Sequence, residues 1–149
     1  MLQTIKFIVL LALTGIAFAG CDFKDPIDEN IEGFWQLEYF ETSADGARHD
    51  CERMYFGITR YVVEVAEKYG QHNYGSFIGR FTYKDGRTKV AMEDFKHRGN
   101  TSDNHVDATV EELLPFGMDA TSTTFTVVSA TGKRLILKSD YATLYLSKF

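Results

Sequence analysis

The chain has 149 residues, with 16 Lys and Arg against 21 Asp and Glu, a formal net charge of −5, and 44% apolar residues that include 12 Phe and 8 Tyr. An acidic balance with no basic cluster disfavours nucleic acid and anionic lipid headgroups as partners. The length suits one domain with a sizeable core, and two cysteines, one of them assigned below to a different task, exclude a disulfide scaffold.

The first predicted element is a targeting segment. Residues 1–20 place Lys6 ahead of an apolar run over 7–13 that continues through small residues to Ala19 and Gly20. That is the layout of an export signal, and it is too short for a permanent membrane span. Phe18-Ala19-Gly20-Cys21 is similar to the bacterial lipobox, with Phe18 where Leu is usual. The resemblance implies cleavage after Gly20 and diacylglycerol on the Cys21 thiol. Loss of Lys6 with the leader leaves 15 basic and 21 acidic side chains, a net charge of −6. Two or three acyl chains anchor far better than one. The mature protein is therefore expected at the cell envelope, lipid-anchored at the outer membrane, facing either the periplasm or the surface. Residues 21–30, the lipidated Cys and an acidic stretch, read as a tether. Their acidic start resembles the surface-export signals of Bacteroides-like lipoproteins.

The folded domain is expected over 31–149. In residues 33–40, Trp35, Leu37 and Tyr39 alternate with Gln36 and Glu38, the period of a half-buried strand. A long polar loop follows over 41–50. Residues 51–68 hold two candidate strands, 52–58 and 60–67, or one long bent strand; β-branched and aromatic content argues against a helix there. Residues 76–84 place Phe77, Phe81 and Tyr83 on one face, Asp85-Gly86 supplies a tight turn, and 87–95 returns as the partner. Gly79 on the aromatic face marks a bend or bulge. After a polar loop over 96–105, residues 107–114 read as a short helix capped by Asp107 or Thr109 and stopped by Pro115 and Gly117. Its Val110, Leu113 and Leu114 suit the plugging of one barrel end. Strands at 123–129, 133–138 and 141–148 complete the chain.

These are eight strands in sequence order with one helix between the fifth and sixth. Closure removes the two edges an open meander leaves, and eight strands enclose an interior that side chains or one small ligand fill. The predicted fold is all-β, an eight-stranded up-and-down antiparallel barrel, with a two-sheet sandwich as the alternative.

Three segments carry a family resemblance: Gly33-Phe34-Trp35 at the first strand; Val110-Glu111-Glu112-Leu113-Leu114-Pro115-Phe116-Gly117 before the last three strands; and the closing hairpin from Lys133 through Tyr141 to Phe149. Their order resembles the lipocalin-like branch of the calycins, above all the short lipocalin-like lipoproteins of Bacteroides-type gut bacteria, over residues 31–149. The resemblance implies that Trp35 packs across the closed barrel end against a late cation, either Lys148 or Arg134. It also implies a monomeric binding protein without cofactor or catalysis.

The residues offer little chemistry of their own. His49 and Cys51 fall on one side of an extended segment, but no third ligand accompanies them, so a solvated His beside a half-buried Cys is the reading. His97 and His105 flank a loop near Asp103 and Asp107 without metal-ligand spacing. No nucleophile elbow, phosphate loop, Cys-x-x-Cys or His-Glu-x-x-His occurs. Trp35, Leu37, Tyr39, Phe77, Phe81, Tyr83 and Tyr145 are the candidates for the barrel interior, where they either grip a small hydrophobic ligand or simply fill the core. If they fill it, the loops 41–50 and 96–105 become the contact surface for an envelope protein or glycan.

Overall fold

The computed structural model describes residues 28–149; the export segment, the Cys21 lipidation site and most of the tether lie outside the described residues. Nine strands run in chain order: β1 (Gly33–Thr42), β2 (Arg48–Ile58), β3 (Val62–Glu67), β4 (Ser76–Lys84), β5 (Lys89–Arg98), β6 (Asp103–Asp107), β7 (Ser122–Ala130), β8 (Arg134–Lys138) and β9 (Ala142–Lys148). A single turn of helix, α1 (Val110–Leu113), passes directly into a 3₁₀ turn (Leu114–Phe116) between β6 and β7. Each of β1 to β5 pairs antiparallel with the next, β5 pairs with β7, and β9 pairs with both β8 and β1. Eight strands thus form a closed barrel in which none of them is left as an edge.

The ninth strand was not foreseen. β5 continues to Arg98, and β6 pairs with that extension alone, turning most of the expected loop 96–105 into a hairpin. β6 reads DNHVD and is exposed along most of its length, so no alternation distinguishes it from a loop. The expected loop 41–50 is also shorter, since β1 runs to Thr42 and β2 starts at Arg48.

Two ends follow from the strand directions. The turns after β2, β4 and β7, together with the entry to β1, lie at one end; the turns after β1, β3 and β8, together with α1, lie at the other. At the first end Trp35 is fully buried, its Nε1–H donates to the Ile31 carbonyl at 2.8 Å, and Lys148 Nζ sits 4.5 Å from its ring centre. Lys148, not Arg134, is thus the cation. Its ammonium also donates to the Glu32 carbonyl, while the Tyr83 hydroxyl donates to Glu32 Oε2 at 2.9 Å. This is the closed end.

The other end receives the plug. Thr109 caps α1 through a reciprocal capping box with Glu112. Leu113, Phe116 and Met118 carry the burial, whereas Leu114, expected in the apolar face, is 37% exposed. Phe116 meets Phe56 and Phe77 edge-on. Between the two ends Leu37, Met54, Val65, Phe81, Met92, Phe125, Leu137 and Leu144 are buried to 2% exposure or less. Each fully buried large side chain contributes about 1.5–3 kcal/mol.

Local insertions in the ladders bend this wall. Gly79 stands where β4 and β5 lose register, and a Cβ there would lie 2.8 Å from the Phe95 ring and 2.9 Å from the Glu93 carbonyl. In β1, both Glu38 and Tyr39 face outward between Leu37 and Phe40, because Leu37 and Tyr39 oppose the consecutive residues Leu146 and Tyr145 of β9. The extra residue is a β-bulge, and it reverses the inward face of everything after it.

Candidate functional site

The bulge in β1 corrects two predicted interior residues. Tyr39 lies outside the barrel, because the bulge hands the inner face to Phe40. Tyr145 is outside as well, since Ala142, Leu144 and Leu146 occupy the inner row of β9. The two rings stack on each other at 4.4 Å on the outer wall, and Arg48 lies 3.7 Å from the centre of the Tyr39 ring. Trp35, Leu37, Phe77 and Phe81 do point inward and are packed to 1% exposure or less. Tyr83 is half-buried at the closed end, edge-on to Phe81, and there burial and the neighbouring Glu32 carboxylate raise its phenol pKa. None of these seven residues lines the large cavity.

That cavity, about 420 Å³, opens at the plugged end. Its apolar lining comes from Phe40 at the end of β1, Met54 and Cys51 of β2, and Leu114 and Pro115 of the 3₁₀ turn. His49, Asp50 and Glu52 of β2, His72 and Tyr74 from the β3–β4 connection, and Tyr141 from the β8–β9 turn supply its polar lining. The opening has a cause in the ladder. Opposite Leu37 to Tyr39, β2 runs from Met54 to Asp50, two residues more than β1, and Arg53 takes a positive φ of 56° to accommodate them. A strand with surplus residues bends away from its partner, and the plug does not fill the space that this leaves.

Two ring pairs line the cavity. Phe40 and His49 stack at 4.7 Å and 16°, with Thr42 Oγ1 3.3 Å from His49 Nε2. His72 and Tyr74 stack at 4.8 Å and 4°. The second pair is held by Glu67, whose buried carboxylate accepts the backbone N–H groups of His72 and Tyr74 and lies 2.9 Å from His72 Nδ1. Burial raises that carboxyl's pKa, but the hydrogen bonds from His72 and Tyr74 outweigh it and hold the group below its ordinary value. At Tyr141, burial, followed by the charges of Asp119 and Asp45, raises the phenol.

His49-Asp50-Cys51 therefore lies at the site. The Cys51 thiol donates to the His49 carbonyl at 3.6 Å, and burial, then the Asp50 charge, pushes its pKa up to about 12. The fold favours the protonated thiol, so this contribution to stability is complete below pH 9 and drains away as the pH rises toward about 12. At pH 8, alkylation of Cys51 followed by peptide mapping is expected to run roughly a thousand-fold slower in the folded protein than in urea. Equal rates would place the sulfur in water.

The second histidine cluster splits: His105 stays beside Asp103 at 3.4 Å, while His97 Nε2 is 3.0 Å from Glu112 and Asp107 pairs with Lys96. Among the described residues no three His, Cys, Asp or Glu side chains are placed to hold a metal ion, and no helix is long and apolar enough to cross a membrane. Sequence reasoning missed Phe40, Met54, Tyr74, Leu114 and Tyr141; for Phe40 alone there was a signal, an apolar ring on the supposedly polar face of β1.

The model of a lipocalin-like domain family matches residues 16–149. A crystal structure of a lipocalin-like protein from Bacteroides uniformis superposes with a TM-score of 0.58 at 16% identity, covering 80% of this chain and 99% of that one. An uncharacterised protein from Bacteroides eggerthii gives a TM-score of 0.58 at 19% identity, covering 79% and 98%. No curated protein matches the chain.

Proposed function

Because the chain belongs to the lipocalin-like domain family, we propose that it is a non-catalytic binding protein of the cell envelope, anchored by lipid on Cys21, that holds one small molecule at the mouth of its barrel. The observation that carries this reading is the cavity of about 420 Å³, within the range of small-molecule sites. Its lining of both apolar and hydrogen-bonding side chains fits a ligand with substantial apolar surface and a polar group. The packed barrel moves the ligand from the interior around Trp35 to the mouth.

Three further features support the reading. The described chain enters at the closed end, so the point from which a tether leaves the barrel lies opposite the cavity. A thiol with a pKa of about 12 is a poor nucleophile. His49 Nε2 faces the Thr42 hydroxyl, so no base is aligned on Cys51.

Leu114→Trp tests the proposal, because Leu114 lines the cavity and is 37% exposed, which lets a larger ring enter without disturbing the core. Binding of the neutral fluorophore N-phenyl-1-naphthylamine is expected to weaken by about tenfold or more, as befits the filling of an apolar pocket, while the emission of Trp35 in a Leu114→Phe companion stays unchanged. Unaltered binding in both variants would overturn the mouth as the site. The alternative, a surface for an envelope protein or glycan, is favoured by one feature. An apolar groove of about 190 Å³ on the outer wall lies between Phe34, Tyr55, Val62 and Lys68. Probe binding lost in Val62→Glu but kept in Leu114→Trp would move the function there.

A further inference from the structure

We infer that the mouth cavity selects a flat aromatic molecule that carries positive charge, an inference that rests on the reading of this cavity as the binding site. The shape follows from the rings. Phe40 with His49, and His72 with Tyr74, are two near-parallel pairs contributed by different parts of the chain, and both pairs line the same cavity. Tyr141 adds a fifth ring. A site built from ring faces and edges gains most from a planar guest, through offset stacking and, for a cation, through the negative faces of Phe and Tyr.

The charge follows from what else reaches the cavity. Its charged lining consists of carboxylates, Asp50 and Glu52, with no Lys or Arg among the residues that line it. Arg48 and Arg53 flank this stretch of β2 in sequence, but neither lines the cavity, and Arg48 is occupied. Its Nε donates to Asp50 Oδ1 at 2.7 Å, and its guanidinium lies over the Tyr39 ring on the outer wall. Asp50 is thereby largely compensated. Glu52 is exposed and has no hydrogen bond or ion pair among the described residues. A phosphate or carboxylate entering here would meet a free carboxylate and no Lys or Arg, whereas an aromatic cation satisfies Glu52 and the rings together.

Three fluorophores of similar size separate the possibilities: proflavine, a planar cation; 1-anilinonaphthalene-8-sulfonate, an anion; and neutral N-phenyl-1-naphthylamine. At pH 7.5 proflavine is expected to bind the purified protein about tenfold more tightly than the sulfonate. Glu52→Gln is expected to narrow the preference for proflavine over the naphthylamine about fivefold, and Glu111→Gln, the same charge change on α1 outside the cavity, to leave it unchanged. If the sulfonate binds as tightly as proflavine, or if Glu52→Gln and Glu111→Gln behave alike, while Leu114→Trp still blocks the naphthylamine, the inferred charge is wrong and the binding site stands. If none of the three binds in a manner that Leu114→Trp alters, the binding site itself falls.

Discussion

Replacing Trp35 with Ala is expected to cost about 3–5 kcal/mol, the range for emptying a large buried aromatic site. Against a total stability of about 5–15 kcal/mol for a domain, that is a substantial share of the whole. The indole is fully buried at the closed end and meets two kinds of polar partner there. Its N–H takes up the Ile31 carbonyl, and its face receives Lys148, whose ammonium also reaches the Glu32 carbonyl. Alanine removes the apolar volume and leaves a buried carbonyl without its donor, so the two costs add. Trp35→Phe separates them: most of the ring is retained and the hydrogen bond is lost, so about 1–2 kcal/mol is expected. Urea unfolding followed by circular dichroism gives both values, since Trp35 is the only tryptophan and neither variant retains its fluorescence. A loss below about 1.5 kcal/mol in Trp35→Ala would mean that the closed end collapses around the gap, and that the Ile31 turn is sealed by other contacts.

Where strands alternate cleanly, the fold was legible from the residues. Phe77, Phe81 and Tyr83 on β4, the Asp85-Gly86 turn and the return through Val90 and Met92 appear as the period of two requires. Gly79 was readable as a bend because a missing side chain on an aromatic face implies a close neighbour, here Phe95. The cap at Thr109 was readable from the Glu three positions later. Bulges defeated the same reasoning. One additional residue at Glu38 inverts the alternation, so Tyr39 exchanges places with Phe40, and the one trace of the insertion in GFWQLEYFET is the apolar Phe40 on the face that Gln36 and Glu38 make polar. Tyr145 was misplaced for a different reason. Ala142, Leu144 and Leu146 form an inner row that is less conspicuous than the tyrosine between them, and residue size does not decide which face is buried.

The candidate site was the least legible part because it is made of departures from regularity. His49 and Cys51 were visible as an unusual local group, but the surplus residues of β2 that place them around an opening depend on pairing with β1 across an irregular ladder. Met54, Tyr74, Leu114 and Tyr141 come from four separate segments. Their convergence is a property of barrel closure and of the position of α1, neither of which leaves a local pattern in the chain.

Gly117→Val is expected to be the most damaging substitution near that site, costing about 2–5 kcal/mol from two sources, a left-handed backbone and an overfilled contact. Gly117 ends the 3₁₀ turn with φ of 79°, and its N–H donates to the Leu144-facing turn's first carbonyl, that of Leu114, at 3.0 Å. A Cβ here would overlap Leu144 Cδ2 and lie 3.2 Å from Phe40 Cγ. Asn tolerates the left-handed region better than Val, but carries a Cβ all the same. If backbone strain dominates, Gly117→Asn recovers most of the loss; if the collision dominates, Asn and Val unfold at similar urea concentrations. The collision has a functional consequence that strain alone lacks. Phe40 lines the cavity and stacks on His49, so a residue that displaces it alters the site even in molecules that remain folded. Weakened N-phenyl-1-naphthylamine binding by folded Gly117→Asn would couple the plug to the mouth, and undiminished binding would show that Phe40 keeps its place while Leu144 yields.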